Sequence, residues 1–147
     1  MRIALLTIGN PLRGDDGVAE ELGKLVEEKL KVKVFYGGNA PENVVNQIRK
    51  YSPDLLIVVD AVVGIGEGEV HFFELREEKN ILYTTHNIPV YRLIQYLETF
   101  VPKVLFLGIG IDGRKALWIK EGISENSQKA VLKAFELLED VLGSCLE

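Results

Sequence analysis

Leu55-Leu56-Ile57-Val58-Val59 is the most apolar run in the chain, and it stops at Asp60. A strand with one wet face alternates apolar and polar residues. A run with no polar member reads as a central strand buried on both faces. Such a strand needs helices packed on either side of its sheet.

The flanking sequence supplies them. Ile3 to Ile8 is a second apolar run, ended by Gly9-Asn10-Pro11. Val18, Ala19, Leu22, Leu25, Val26 and Leu30 then recur at helical spacing, with acids at the start and lysines at the end, as the helix dipole favours. Val32 to Tyr36 predicts a strand stopped by Gly37-Gly38, and Pro41 opens a helix through Tyr51 that Ser52-Pro53 breaks. After Gly64, Gly66 and Gly68, Glu69 to Leu75 predicts a strand, and Ile81 to His86 leads into a helix near Pro89 carrying Leu93, Ile94 and Leu97. Val104 to Ile109 predicts another buried strand, and Ala116 to Ile119 a short edge strand. Ser124 is placed to cap a last helix whose buried stripe is Ala130, Val131, Ala134, Leu137, Leu138 and Val141. Strands alternating with helices predict a three-layer α/β/α domain over residues 1–147, with a mostly parallel sheet of about five strands.

Composition narrows the function. A net charge of -5 argues against broad nucleic-acid contact, which needs a basic footprint. Cys145 is the single cysteine, so neither an internal disulfide nor a cysteine zinc cluster is expected, and a reducing, cytoplasmic setting fits. The first apolar run is too short for a membrane span and lacks a small-residue cleavage site after it. We expect no membrane insertion, and a monomer.

In a parallel sheet, ligands bind beyond the carboxyl ends of the strands. Three polar stretches belong there: Gly9 to Gly17 after the first strand, Asp60 at the end of the third, and His86-Asn87 before a helix. Two carboxylates and an imidazole in one crevice would suit a borderline divalent metal, or a water polarised for amide hydrolysis. Each has a competing structural role. Asp15 and Asp16 stand where a helix cap belongs; the expectation is that Asp15 caps and Asp16 remains for chemistry. His86 alone would be a hydrogen-bonded loop histidine, His71 an exposed or structural one, and Arg13 either a ligand for a substrate carboxylate or, as the commoner case, a solvated loop cation. Asp60 resists a bland reading, because a carboxylate ending a strand buried on both faces is costly unless paired or functional. Phosphate binding is disfavoured: no GxGxxG or GxxxxGK[ST] spacing occurs, and the paired acids would repel phosphate. No GxSxG motif supports a serine nucleophile, and Cys145 lies far from these motifs in sequence.

Gly9-Asn10-Pro11-Leu12-Arg13-Gly14-Asp15-Asp16-Gly17, Gly37-Gly38-Asn39-Ala40-Pro41-Glu42-Asn43, Leu56-Ile57-Val58-Val59-Asp60-Ala61 and Thr84-Thr85-His86-Asn87-Ile88-Pro89 occur in that order. Together they resemble the hydrogenase maturation proteases, most closely the branch that processes hydrogenase 3. The resemblance implies an endopeptidase that removes the C-terminal extension of a nickel-iron hydrogenase large-subunit precursor after nickel insertion. It implies that Asp16, Asp60 and His86 are both the catalytic residues and the nickel contacts, with the nickel presented by the precursor. Whether a carboxylate, in an aspartic-type reaction, or the metal activates the water stays open. Many members of the family have Asp-Gly-Gly where this chain has Tyr36-Gly37-Gly38, so any role of that acid does not transfer. The alternatives are a non-catalytic nickel-binding maturation chaperone acting on the same precursor, and a small-molecule enzyme such as a phosphorylase.

Overall fold

The computed structural model describes residues 1–74, 90–116 and 119–146. Its strands are β1 (Ile3–Thr7), β2 (Lys33–Tyr36), β3 (Leu55–Val62), β4 (Val70–Phe73) and β5 (Lys103–Gly110). Its helices are α1 (Val18–Lys29), α2 (Val45–Tyr51), α3 (Val90–Leu97) and α4 (Glu125–Leu146). The sheet order is β2-β1-β3-β5-β4, with only β4 antiparallel to its neighbour. The expected mostly parallel five-stranded sheet is therefore present. The segment from Ile81 to His86, expected to lead into the next helix, lies outside the described residues.

The connections place the helices. From β1 the chain crosses through α1 to β2 on one side, then through α2 to β3 on the other side of β1. Right-handed crossovers in opposite directions put α1 and α2 on opposite faces of the sheet. The core divides accordingly. Leu5, Ile57, Val59 and Leu107 pack with Leu22 and Val26 of α1 and Ala134 and Leu138 of α4. Leu6, Leu56, Val58 and Phe106 pack with Ile48 of α2 and Ile94 and Leu97 of α3. Burying such side chains contributes about 1.5–3 kcal/mol each, so the unbroken apolar run of β3 stabilises both layers.

Four local readings are corrected. β3 does not end at Asp60; it continues to Val62, because Asp60, Ala61 and Val62 keep pairing with Gly108, Ile109 and Gly110 of β5. Asp15 does not cap its own helix: the chain enters α1 through a 3-10 turn, Gly14–Gly17, with no side-chain cap bond. Pro41–Val44 is likewise a 3-10 turn, and the α-helix starts only at Val45. The expected edge strand at Ala116 to Ile119 is not a strand as far as it is described. Gly113–Ala116 form a 3-10 turn, and among the described residues the pairing nearby is an isolated bridge between Lys120 and Arg13. Ser52 ends α2 as expected, in the left-handed conformation at φ 56°.

Candidate active site

A sheet in which β1 lies between β2 and β3 reverses direction at β1. The crevice beyond the carboxyl ends of β1 and β3 is the switch point, where open α/β sheets bind ligands. The backbone opens there. β1 pairs with β3 as far as Thr7 beside Val59, and Ile8 N makes the last link, donating to Val59 O at 2.9 Å. Gly9 N then turns to Gly38 O, on the β2 side, at 2.9 Å. Asp60 is the first residue of β3 beyond the end of that pairing, and it is fully buried. Its neighbours of the same alternation, Val58 and Val62, face the α2–α3 layer. Across from it β5 presents Gly108, which has no side chain to crowd the carboxylate.

The loop after β1 delivers Asp16 to the same end of the sheet. Asn10 Oδ1 accepts from Leu12 N at 2.9 Å, which folds the loop back in an Asx turn. Arg13 N donates to Asn10 O, and Asp16 N to Arg13 O, both at 3.1 Å. The Asp16 carboxylate then accepts from Asn10 N at 2.9 Å through Oδ2 and is 3% exposed. Gly9 lies beneath it at φ 143°, where a Cβ would collide with the Asp16 carbonyl oxygen. The 3-10 turn that carries Asp16 packs against β3. Asp16 and Asp60, two of the three expected residues, therefore both lie buried at the carboxyl end of the β1–β3 pair. His86, the third, lies outside the described residues, and no group of three or more metal-binding side chains occurs among the described ones.

Asp15 points elsewhere. Its Oδ1 accepts from Ser124 N at 2.7 Å and its Oδ2 from Ser124 Oγ at 2.8 Å, tying the loop to the start of α4. Ser124 does cap α4, since Ser127 N donates to Ser124 Oγ at 3.3 Å. Adjacent acids thus have different partners, Asp15 the start of α4 and Asp16 the backbone of its own loop. Sequence reasoning missed Asn10, whose side chain shapes the loop and whose N–H holds Asp16. The Asn-Pro turn was its one visible signal. The Asp15–Ser124 link spans 109 residues and had none.

Tyr36 stands apart from this arrangement. It packs on the α1 side, with its ring edge against Gly23, whereas Asp60 belongs to the other face. Burial, then the charges of Glu27 and Glu20 and a hydrogen bond to Glu27, raise its phenol above the usual tyrosine range. His71 is exposed beside Glu69, and Arg13 is exposed, as the sequence suggested.

Buried carboxylates at a switch-point crevice can hold a divalent cation or take a proton from water. The comparisons narrow the choice. The family model of HycI, hydrogenase maturation protease, matches residues 17–141, which include Asp60 and His86 and begin one residue after Asp16. The chain is 37% identical over 120 residues to the hydrogenase 3 maturation protease of Escherichia coli strain K12, covering 76% of this chain and 74% of that one. The solution structure of the endopeptidase HycI from Escherichia coli matches with a TM-score of 0.81 at 31% identity, over 95% of this chain and 90% of that one. The crystal structure of the NiFe hydrogenase maturation protease HycI from Thermococcus kodakarensis matches with a TM-score of 0.82 at 25% identity, over 97% and 92% of the two chains. With a family match over most of its length, and relatives that share both sequence and fold, the chain belongs to the HycI family of hydrogenase maturation proteases.

Proposed function

We propose that this protein is the endopeptidase that removes the C-terminal extension from a nickel-iron hydrogenase large-subunit precursor, and that it acts only once nickel is in place. The observation that carries the reading is the pair of buried carboxylates, Asp16 and Asp60, at the β1–β3 switch point. The precursor's nickel is then a recognition signal carried by the substrate. Carboxylate oxygens and imidazole nitrogen are ligands that a borderline divalent ion accepts, so Asp16, Asp60 and His86 form a suitable donor set. Burial sharpens the preference for a cation, because desolvated carboxylates gain more from opposite charge than exposed ones do.

Engaging the nickel fixes the neighbouring peptide in the crevice, and positioning of this kind lowers the barrier to attack. A water beside Asp60 or Asp16 gives its proton to the carboxylate as its oxygen attacks the carbonyl carbon; the carboxyl then returns that proton to the peptide nitrogen, the C–N bond breaks and the extension leaves as an amine, which makes the enzyme aspartic in type. The alternative source of activation is the nickel itself. Nickel dependence is tested by incubating the purified protein with nickel-loaded and nickel-free precursor and measuring the mass of each. Loss of the extension from the loaded form alone is expected; equal cleavage of both would sink nickel recognition. Intact mass in both would leave a binding role in place of a peptidase.

A further inference from the structure

Arg13 and Lys120 form an isolated parallel bridge, in which Lys120 N donates to Leu12 O and Gly14 N donates to Lys120 O, both at 2.8 Å. The bridge holds two cationic residues directly opposite each other, a pairing that repulsion disfavours. Neither side chain has an ion-pair partner among the described residues. Acids are not scarce nearby: Arg114 is matched by Asp112 at 2.9 Å and Lys115 by Glu67 at 2.6 Å. The residues one step earlier on each side of the bridge are also open. Leu12 is 53% exposed and Ile119 89%, two of the five exposed large apolar side chains among the described residues. This two-segment ribbon is continuous with the site, since Asp16 N donates to Arg13 O. Lys120 also lines a cavity of about 450 Å³ walled in part by Gly14 and Asp15.

We propose that the ribbon grips the large-subunit precursor beside the scissile bond, through a carboxylate held by Arg13 and Lys120 and an aliphatic side chain against Leu12 and Ile119. The proposal rests on the peptidase reading above. The precursor is the occupant because ribbon and Asp16 share one loop. An extended peptide advances about 3.3 Å per residue, so a segment on the ribbon lies within a few residues of a bond presented at Asp16. A cation pair in an acidic protein (22 acids against 17 basic residues) selects an anionic segment, and the open apolar pair supplies contact area.

The test compares the parent with the double variants Arg13→Gln/Lys120→Gln and Leu12→Ser/Ile119→Ser. All four residues are exposed, and circular dichroism melting checks that the fold is kept. Steady-state cleavage of nickel-loaded precursor is measured at low salt and at about 0.5 M salt, where exposed charges are screened. Fluorescence anisotropy of labelled nickel-free precursor reads binding without cleavage. For the charge variant, KM should rise about tenfold at low salt with kcat unchanged, and the difference should vanish at high salt. The apolar variant should raise KM about threefold at both salts. If the parent cleaves and both variants match it within twofold in KM and in binding, the ribbon proposal is overturned while the peptidase reading stands. A parent that cleaves neither form of precursor overturns that reading and, with it, this one. Self-association of the parent, lost in the variants by sedimentation, would assign the ribbon to a second copy and overturn the proposal.

Discussion

The two buried carboxylates at the carboxyl end of the β1–β3 pair are held by different means. Asp60 is placed by a strand: its backbone pairs in register with Gly108, and its neighbours Val58 and Val62 lock the face it takes. Asp16 is placed by a loop, and the loop needs the positive φ of Gly9, the Asx turn at Asn10 and the Asp15–Ser124 link. A strand position survives most changes nearby, because the whole ladder must shift to move it. A loop position is only as firm as its own few bonds. This site pairs a fixed carboxylate with one whose placement depends on distant residues, so the two should fail differently.

The largest effect is expected from the fixed side. Asp60→Asn keeps the shape and removes the charge, so precursor cleavage should fall by about a thousandfold. The variant should stay folded, as circular dichroism melting checks, because Asn keeps the size and shape of the side chain. Cleavage near the parent rate would show that Asp60 is structural.

Gly9→Ala attacks the loop side instead. The new Cβ meets the Asp16 carbonyl oxygen, at a φ that side chains avoid. Stability should fall by about 2–3 kcal/mol in chemical denaturation and cleavage by about a hundredfold, since loop and carboxylate move together. If stability falls but cleavage does not, Asp16 is not held by this loop geometry.

Asp15→Ala reaches Asp16 at one remove. Ser124 loses two hydrogen bonds to a carboxylate, which should cost about 2 kcal/mol by thermal or urea unfolding. Cleavage should drop by about tenfold, through a looser loop. A loss as large as that of Asp60→Asn would mean that Asp15 itself meets the substrate.

The smallest effect is expected at Tyr36, which belongs to neither side. Tyr36→Phe should leave cleavage unchanged and cost under about 1 kcal/mol at neutral pH. Its phenol pKa is raised in the folded protein, chiefly by burial. The unfolded chain therefore loses this proton first. The stabilisation is whole below the ordinary tyrosine pKa of 10.0 and fades as pH rises through the raised folded value. Urea midpoints measured above pH 10 should fall less steeply in Tyr36→Phe than in the parent. Identical slopes would show that Tyr36 does not contribute.

The sequence by itself determined the layers. Leu55 to Val59 had to be buried on both faces, and the helical periodicities of α1 and α4 named most of the stripes that cover one of them, although Leu142 and not Val141 completes the stripe of α4. Burial follows composition over several neighbouring residues, so it is legible locally. Asp60 was legible for the same reason, as a charge where none is easily tolerated. Tertiary structure alone decided which of two adjacent acids is tied to the start of α4. Asp15 and Asp16 look alike as helix-cap candidates, and they are separated by a serine 109 residues further on. It also decided that β3 runs past Asp60, because β5 continues to pair there, and that Arg13 lies opposite Lys120. Partners this far apart in the chain leave no local pattern, since the contact depends on the path of everything between them.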